Sequence, residues 1–267
     1  MNEKYEKYLK ENNLSHNTAL SYLSTIRQYH QLYEKVNKKN LILFRAYLIN
    51  TYNPKSVNQK IQAINKYLSF LKKNKMKLKS VKIQQKSYLE NVISNADYIF
   101  LKNKLKQEKR MDWYFVVRFL AATGARISEL VQIKAEHIQI GYFDIYTKGG
   151  KVRRLYIPKK LKIETEEWLR EKKISSGYIF LNKFGERISM RGISQQLKTY
   201  AVKYGLNPKV VYPHSFRHRY AKNFLEKFND ISLLADLMGH ESIETTRIYL
   251  RRSSLEQQEI IDRVITW

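Results

Sequence analysis

The stretch "PHSFRHRY", residues 213–220, sets His214, Arg217, His218 and Arg219 within six residues, just after a proline. Cations this dense repel one another, so an anion or a structural partner has to offset the arrangement. Three further stretches stand out: "TGARISEL" (123–130), "YTKGGKVRR" (146–154) and "MGHESIETTRIYL" (238–250). Each has an ordinary reading when taken singly. Arg126 can pair on a helix surface with Glu129 or Glu136, and Gly149-Gly150 can be a turn. The histidines can be capping groups, and Tyr249 can be one of 20 tyrosines packing a core.

Taken as a set, these residue types can cut a phosphodiester by transesterification. That reaction needs a nucleophile, relief of charge on a phosphorane-like transition state, and a proton for the leaving oxygen. A tyrosine can attack, although a phenol with a pKa of about 10 needs help in losing its proton. Two arginines can each hold non-bridging oxygens bidentately, a preorganised charge stabilisation. A lysine on a hairpin can protonate the 5′-oxygen when neighbouring cations lower its pKa, and histidines can relay a proton or hold an oxygen. Cationic side chains then do what Mg²⁺ would do, so no metal or other cofactor is expected. His214 and Arg217 lie three apart on one helix face and can point at one phosphate. His218 is expected to be structural, and Arg219 to face solvent or backbone phosphate.

In this order the stretches resemble the tyrosine recombinase (phage integrase-like) family. That family shows an Arg in a "TG-x-R-x-S-E-L" box, a Lys on a β-hairpin, "H-x-x-R-H", and "GH" followed nine residues later by Tyr. The corresponding residues are Arg126, Lys148, His214, Arg217, His240 and Tyr249. Lys151 is a second candidate for the hairpin lysine; Lys148 is favoured because it directly precedes the Gly-Gly turn. The match spans about residues 94–252, with two departures: Ile127 after "GAR", and Arg251 where relatives often carry histidine. The resemblance implies that Tyr249 is the nucleophile and that strands are exchanged through a 3′-phosphotyrosyl intermediate and a Holliday junction. It implies a C-shaped clamp around double-stranded DNA and a homotetramer on two paired sites. It also implies integration or excision, inversion, or dimer resolution, by a compact Xer-like enzyme with no arm-binding domain. A type IB topoisomerase-like nicking-closing enzyme and a non-catalytic DNA-binding relative are the alternatives.

The elements that must position these residues fall into two parts. Residues 1–75 read as a four-helix core DNA-binding domain of the SAM-like kind. Tyr5, Tyr8 and Leu9 form one apolar stripe; Leu20, Leu23, Ile26, Tyr29 and Tyr33 form a second, in a segment that Ser15 can cap. "LILFRAYLIN" is a short third helix, and Pro54 opens a fourth with Val57, Ile61, Ile64, Leu68 and Leu71 on one face. Residues 76–93 read as a basic linker, in a region where "LKKNKMKLKSVKIQQKS" holds seven lysines and no acid. Residues 94–267 read as a mixed α+β catalytic domain with a helical tail. Within it, Ser94 can cap a helix to about Lys109, and "WYFVVRFLAATG" is a buried helix ending at Gly124. Another helix starts near Arg126, and "YFDIYTKGGKVRRLYIP" alternates as a β-hairpin. Helices follow at about 160–173, 190–204, 214–227, 230–238 and 242–250. The fold class is therefore mainly α with one small hairpin. In the tail, Leu255, Ile260, Ile261, Val264 and Ile265 gather on one helix face, and the resemblance favours docking of that face on a neighbouring subunit.

The bulk composition agrees with a polyanionic partner. Fifty Lys+Arg against 24 Asp+Glu leave a formal charge of +26, a field that attracts a nucleic-acid backbone. Residues 1–90 and the remaining 177 each carry a net +13, so both parts can face phosphates. With no cysteine there is no disulfide framework and no thiolate metal site. A hydrolytic metal centre on His214, His218 and His240 is disfavoured, because Arg217 beside it would repel a dication. No apolar run approaches the roughly 20 residues of a membrane span, and "MNEKYEKYLKENN" lacks a secretory apolar core. A cytoplasmic protein without a membrane partner is expected.

Overall fold

In the computed structural model, which describes residues 2–83, 91–146, 152–250, 258, 261–265 and 267, the chain divides into two units, Met1–Gln85 and Lys86–Trp267. The first contains α1 (Asn2–Glu11), α2 (His16–Leu32), α3 (Lys38–Thr51) and α4 (Pro54–Phe70). Ser15 accepts from the Thr18 amide at 3.2 Å and Asn53 from the Ser56 amide at 3.0 Å, which satisfies amides left orphaned at the starts of α2 and α4. Helix α3 begins three residues before the expected "LILFRAYLIN" because Asn37 caps the Asn40 amide. Tyr5, Leu9, Leu23, Ile26, Tyr29, Phe44, Ile61, Ile64 and Leu68 close the core as the stripes require. Leu20 does not join it: the buried face of α2 runs through Ala19, Leu23 and Ile26, one position away, so Leu20 points to solvent. The start of the lysine-rich segment belongs to this unit. Asn65 exchanges hydrogen bonds with the backbone of Leu78, and Asn58 does the same with Val81.

The second unit is built on α6 (Met111–Thr123), whose Phe115, Val117, Phe119 and Leu120 are all buried. An all-round apolar helix has to lie at the centre of its domain. Trp168 of α9 (Lys159–Glu171) stacks on Phe115 at 4.5 Å between centroids, and α5 (Asn95–Gln107) packs on α6 through Leu101 and Leu105. Each large apolar side chain buried this way stabilises the unit by about 1.5–3 kcal/mol. Between α6 and α9 come α7 (Ile127–Leu130), α8 (Ala135–Ile140) and an antiparallel pair, β1 (Tyr142–Tyr146) and β2 (Val152–Tyr156), in register Tyr142↔Tyr156 to Tyr146↔Val152. These are the strands of the expected hairpin; Lys148 and Lys151 lie outside the described residues. After α10 (Met190–Lys203) come α11 (Pro213–Lys227), α12 (Ile231–Met238), α13 (Ile243–Arg247) and a 3₁₀ turn, Ile248–Leu250. The single helix expected at 242–250 thus tightens just where Tyr249 sits. Helix α11 lies directly against α6, so "TGAR" and "HSFRH" meet although about 90 residues separate them. A satellite cluster of Ala221, Leu225, Leu234, Met238 and Tyr249 ties α11, α12 and the 3₁₀ turn together. Among the described residues, no helix is long and apolar enough to cross a membrane.

Candidate active site

Two glycines let the chain turn at the site. Gly124 ends α6 in the left-handed region at φ 62°, and a Cβ there would lie 2.5 Å from the ring of Tyr220. Gly239 ends α12 at φ 61°, and its Cβ would lie 2.4 Å from Cδ of Arg153. The first turn delivers Arg126 and the second His240.

Arg126 stands at the start of α7, where its amide donates to Glu129 Oε2 at 2.7 Å. Its guanidinium donates to Glu129 Oε1 at 2.8 Å and to the Gly239 carbonyl at 3.0 Å, with a third of the side chain left exposed. The pairing with Glu129 expected of an ordinary surface arginine is therefore real, but Glu129 is buried and also serves the site. Burial works to raise the Glu129 pKa, but Arg153 and the bonds from Arg126 overcome it, and the carboxylate is held below its usual range. Glu136 takes no part; it accepts from the Gly177 amide.

Arg217 is 3% exposed on the inner face of α11. It donates to the carbonyls of Gly124 at 2.6 Å and Met238 at 2.5 Å, and its Nη2 lies 3.2 Å from Nε2 of His240. Burial, then the charges of Arg126 and Arg153, push its pKa down to about 10. The guanidinium remains protonated at physiological pH.

Tyr249 is 6% exposed, with its ring 6.1 Å from His240 in a stacked arrangement and 5.4 Å from His218. Burial raises the phenol pKa; the charge of Arg217, a hydrogen bond with it and the charge of Arg126 oppose that rise. Burial and the surrounding arginines push His240 down to about 4, and Nδ1 of that ring lies 2.8 Å from Thr246 Oγ1. His214 is the exposed member of the group, at the start of α11; desolvation, then Arg217 and Arg126, lower its pKa.

The structure thus brings Arg126, His214, Arg217, His240 and Tyr249 into one charged neighbourhood. Two further contributors, His218 and Arg153, were not legible in the motifs. His218, expected to be structural, packs against Tyr249, and burial followed by His214 and Arg217 drives its pKa down to about 4. Arg219, expected to face solvent or backbone phosphate, is half-buried, and its guanidinium covers the ring of Tyr98 at 4.0 Å. Arg153, 6% exposed, donates to Glu129 Oε1 at 2.7 Å and to the Leu237 carbonyl at 2.7 Å. A signal for Arg153 was present in the strand period: it shares the inward face of β2 with Leu155, while Arg154 points outward to Asp144. Among the described residues, no group of three or more His, Cys, Asp or Glu is placed to hold a metal ion.

The chain is similar to several known proteins. The model of the phage integrase family matches residues 100–256. The chain is 30% identical to tyrosine recombinase XerA of Pyrococcus furiosus, covering 98% of this chain and 92% of that protein. It is 29% identical to the TnP I resolvase of Bacillus thuringiensis, covering 95% and 96%. Two solved structures share the fold. XerH site-specific recombinase bound to its difH substrate superposes with TM-score 0.72 at 20% identity, covering 98% of this chain and 84% of that one. A lambda integrase dimer bound to a COC′ core site gives 0.72 at 16% identity, covering 99% and 95%.

Proposed function

Because the chain belongs to the phage integrase family and is a tyrosine site-specific recombinase, we propose that Tyr249 cleaves double-stranded DNA through a 3′-phosphotyrosyl intermediate. The phenol oxygen forms a bond to the scissile phosphorus, and the bond from phosphorus to the 5′-oxygen breaks. The phenol proton leaves to a neutral histidine, a role open to His214, whose pKa is lowered. Arg126 and Arg217 hold the non-bridging oxygens, where fixed charge is most effective because it need not reorganise during the reaction. His240 steadies Arg217. Lys148, or in its place Lys151, protonates the 5′-oxygen. Rejoining reverses these steps with the 5′-hydroxyl of another strand, which passes through a Holliday junction.

The observation that carries this reading is the convergence of the buried Tyr249 with Arg217 and His240. Buried or half-buried groups with displaced pKa values gather at functional sites, where such shifts are put to chemical use. Double-stranded DNA as the partner is supported by the +26 charge and by relatives solved on DNA. We assign the active form as a homotetramer on paired sites, joined through the C-terminal tail. Of the expected apolar face, Ile261, Val264 and Ile265 are exposed, which suits a segment that buries that face on another subunit; Leu255 and Ile260 lie outside the described residues. The same reading assigns residues 1–75 to core-site binding and 94–267 to catalysis, in the cytoplasm, with no cofactor.

The test is a Tyr249→Phe variant on a duplex site recovered by selection from a random pool. Binding should match the wild type, and no covalent protein–DNA adduct should survive denaturing electrophoresis. An adduct in that variant would remove Tyr249 from its role.

A further inference from the structure

Three arginines donate to three successive carbonyls at the end of α12: Arg153 Nε to Leu237 at 2.7 Å, Arg217 Nη2 to Met238 at 2.5 Å and Arg126 Nη2 to Gly239 at 3.0 Å. A helix C-terminus carries unpaired carbonyls and the negative end of its dipole, so it both orients and partly neutralises such cations. Two of these arginines belong to the proposed phosphate clamp. The third is not assigned to it. Arg153 is buried on β2, and its second acceptor is Glu129 Oε1, the atom that also takes Arg126 Nη1 at 2.8 Å. One guanidinium therefore connects the carboxylate that orients Arg126 with the turn that carries His240. The missing Cβ of Gly239 is what gives it passage.

We propose that Arg153 is a positioning residue for DNA cleavage, holding Arg126 and the His240 turn in register by donating to Glu129 and the Leu237 carbonyl at once. The inference rests on the reading of Arg126, Arg217, His240 and Tyr249 given above. Strand β2 follows directly on the segment that contains Lys148 and Lys151, so the same side chain anchors the strand that leads away from the candidate general acid. The groups facing His240 are Arg217 from α11, Arg126 from the start of α7, Arg153 from β2 and the Tyr249 ring. A neutral replacement at 153 changes the charge around His240 as well as the geometry. That separates a positioning role from a merely structural one.

The experiment measures single-turnover adduct formation on a nicked duplex carrying the selected site, at saturating protein and across pH. Arg153→Gln should slow adduct formation about 10- to 100-fold, the scale on which small misplacements act, while affinity for the duplex changes less than about twofold. The part of its acid limb set by His240 should move to higher pH, because one of the cations that keep His240 neutral is gone. The part set by His214, on which Arg153 does not act, should stay. Arg153→Lys keeps the charge but cannot span both acceptors, so it should be slow with an unmoved acid limb; it also decides the matter if the glutamine variant does not fold. Either folded variant cleaving within about twofold of wild type at saturation overturns the proposal. So does an unmoved acid limb in a folded Arg153→Gln. Failure of the wild type to form any adduct would instead overturn the reading of the site itself.

Discussion

Nη2 of Arg217 stands 3.2 Å from Nε2 of His240, and the contact determines which tautomer of the histidine is present. A guanidinium has donors and no acceptor, so Nε2 must offer its lone pair. The ring proton then sits on Nδ1 and is donated to Thr246 Oγ1 at 2.8 Å. Thr246 is wholly buried in α13, one turn before the 3₁₀ turn of Tyr249, so the orientation of His240 is tied to the segment bearing the proposed nucleophile. Protonating Nε2 would set two donors against each other and break the link.

A pH dependence of stability follows. His240 and His218 are each pushed down to about 4, against about 6.5 for a free histidine. Above about pH 6.5 both are neutral whether the chain is folded or not. As pH falls from there to about 4, the unfolded chain takes up protons that the folded chain refuses, so stability is lost through that window. The thermal midpoint should fall between pH 7 and 5, and His218→Asn should flatten the fall. A midpoint constant over that range, or an unchanged slope in the variant, would contradict the assignment.

Arg217 serves two carbonyls and a histidine with one planar fork, which an ammonium cannot copy. Arg217→Lys and Arg126→Lys should each reduce the cleavage rate by about 10²- to 10³-fold, the cost of a displaced transition-state charge. Duplex binding should change far less, since the chain carries many other cations that can meet the backbone. Mobility-shift titration beside single-turnover cleavage checks both halves; lost binding with normal cleavage at saturation would make these residues positional.

The two hairpin lysines can be told apart chemically. A 5′-bridging phosphorothiolate supplies a leaving group that needs no acid. Lys148→Ala should cleave the normal duplex poorly and the phosphorothiolate at close to the wild-type rate. Rescue of Lys151→Ala and not of Lys148→Ala would move the assignment to Lys151.

Deleting residues 256–267 removes the exposed Ile261, Val264, Ile265 and Trp267. Burying three or four such side chains on a neighbour contributes several kcal/mol at about 25 cal/mol per Å². The truncated protein should bind a single site normally and lose cooperative binding and recombination. Normal assembly and recombination on paired sites would exclude docking of the tail in trans.

Local chemistry alone was enough to identify most of the elements, while the proposed site residues came from four short stretches that together resemble a family. Ser15, Pro54, Ser94 and Gly124 mark helix ends through caps, a preset φ and a left-handed turn, and all four act within a few residues of where they stand. The spacing His214–Arg217 is likewise a property of one helix. What a carboxylate or a guanidinium meets across the chain is not. Arg126 reaches the Gly239 carbonyl 113 residues away and Arg153 reaches Leu237 across 84. Nothing local distinguishes Arg153 from Arg154 except strand register, and register has an inward side only once there is a core to face. Glu129 looks like any surface partner of Arg126 until packing buries it between two arginines. His218 becomes a neighbour of Tyr249 only when the 3₁₀ turn folds back onto α11. Short-range sterics and capping are written in consecutive residues, whereas burial and the electrostatics it creates exist only after distant elements have packed.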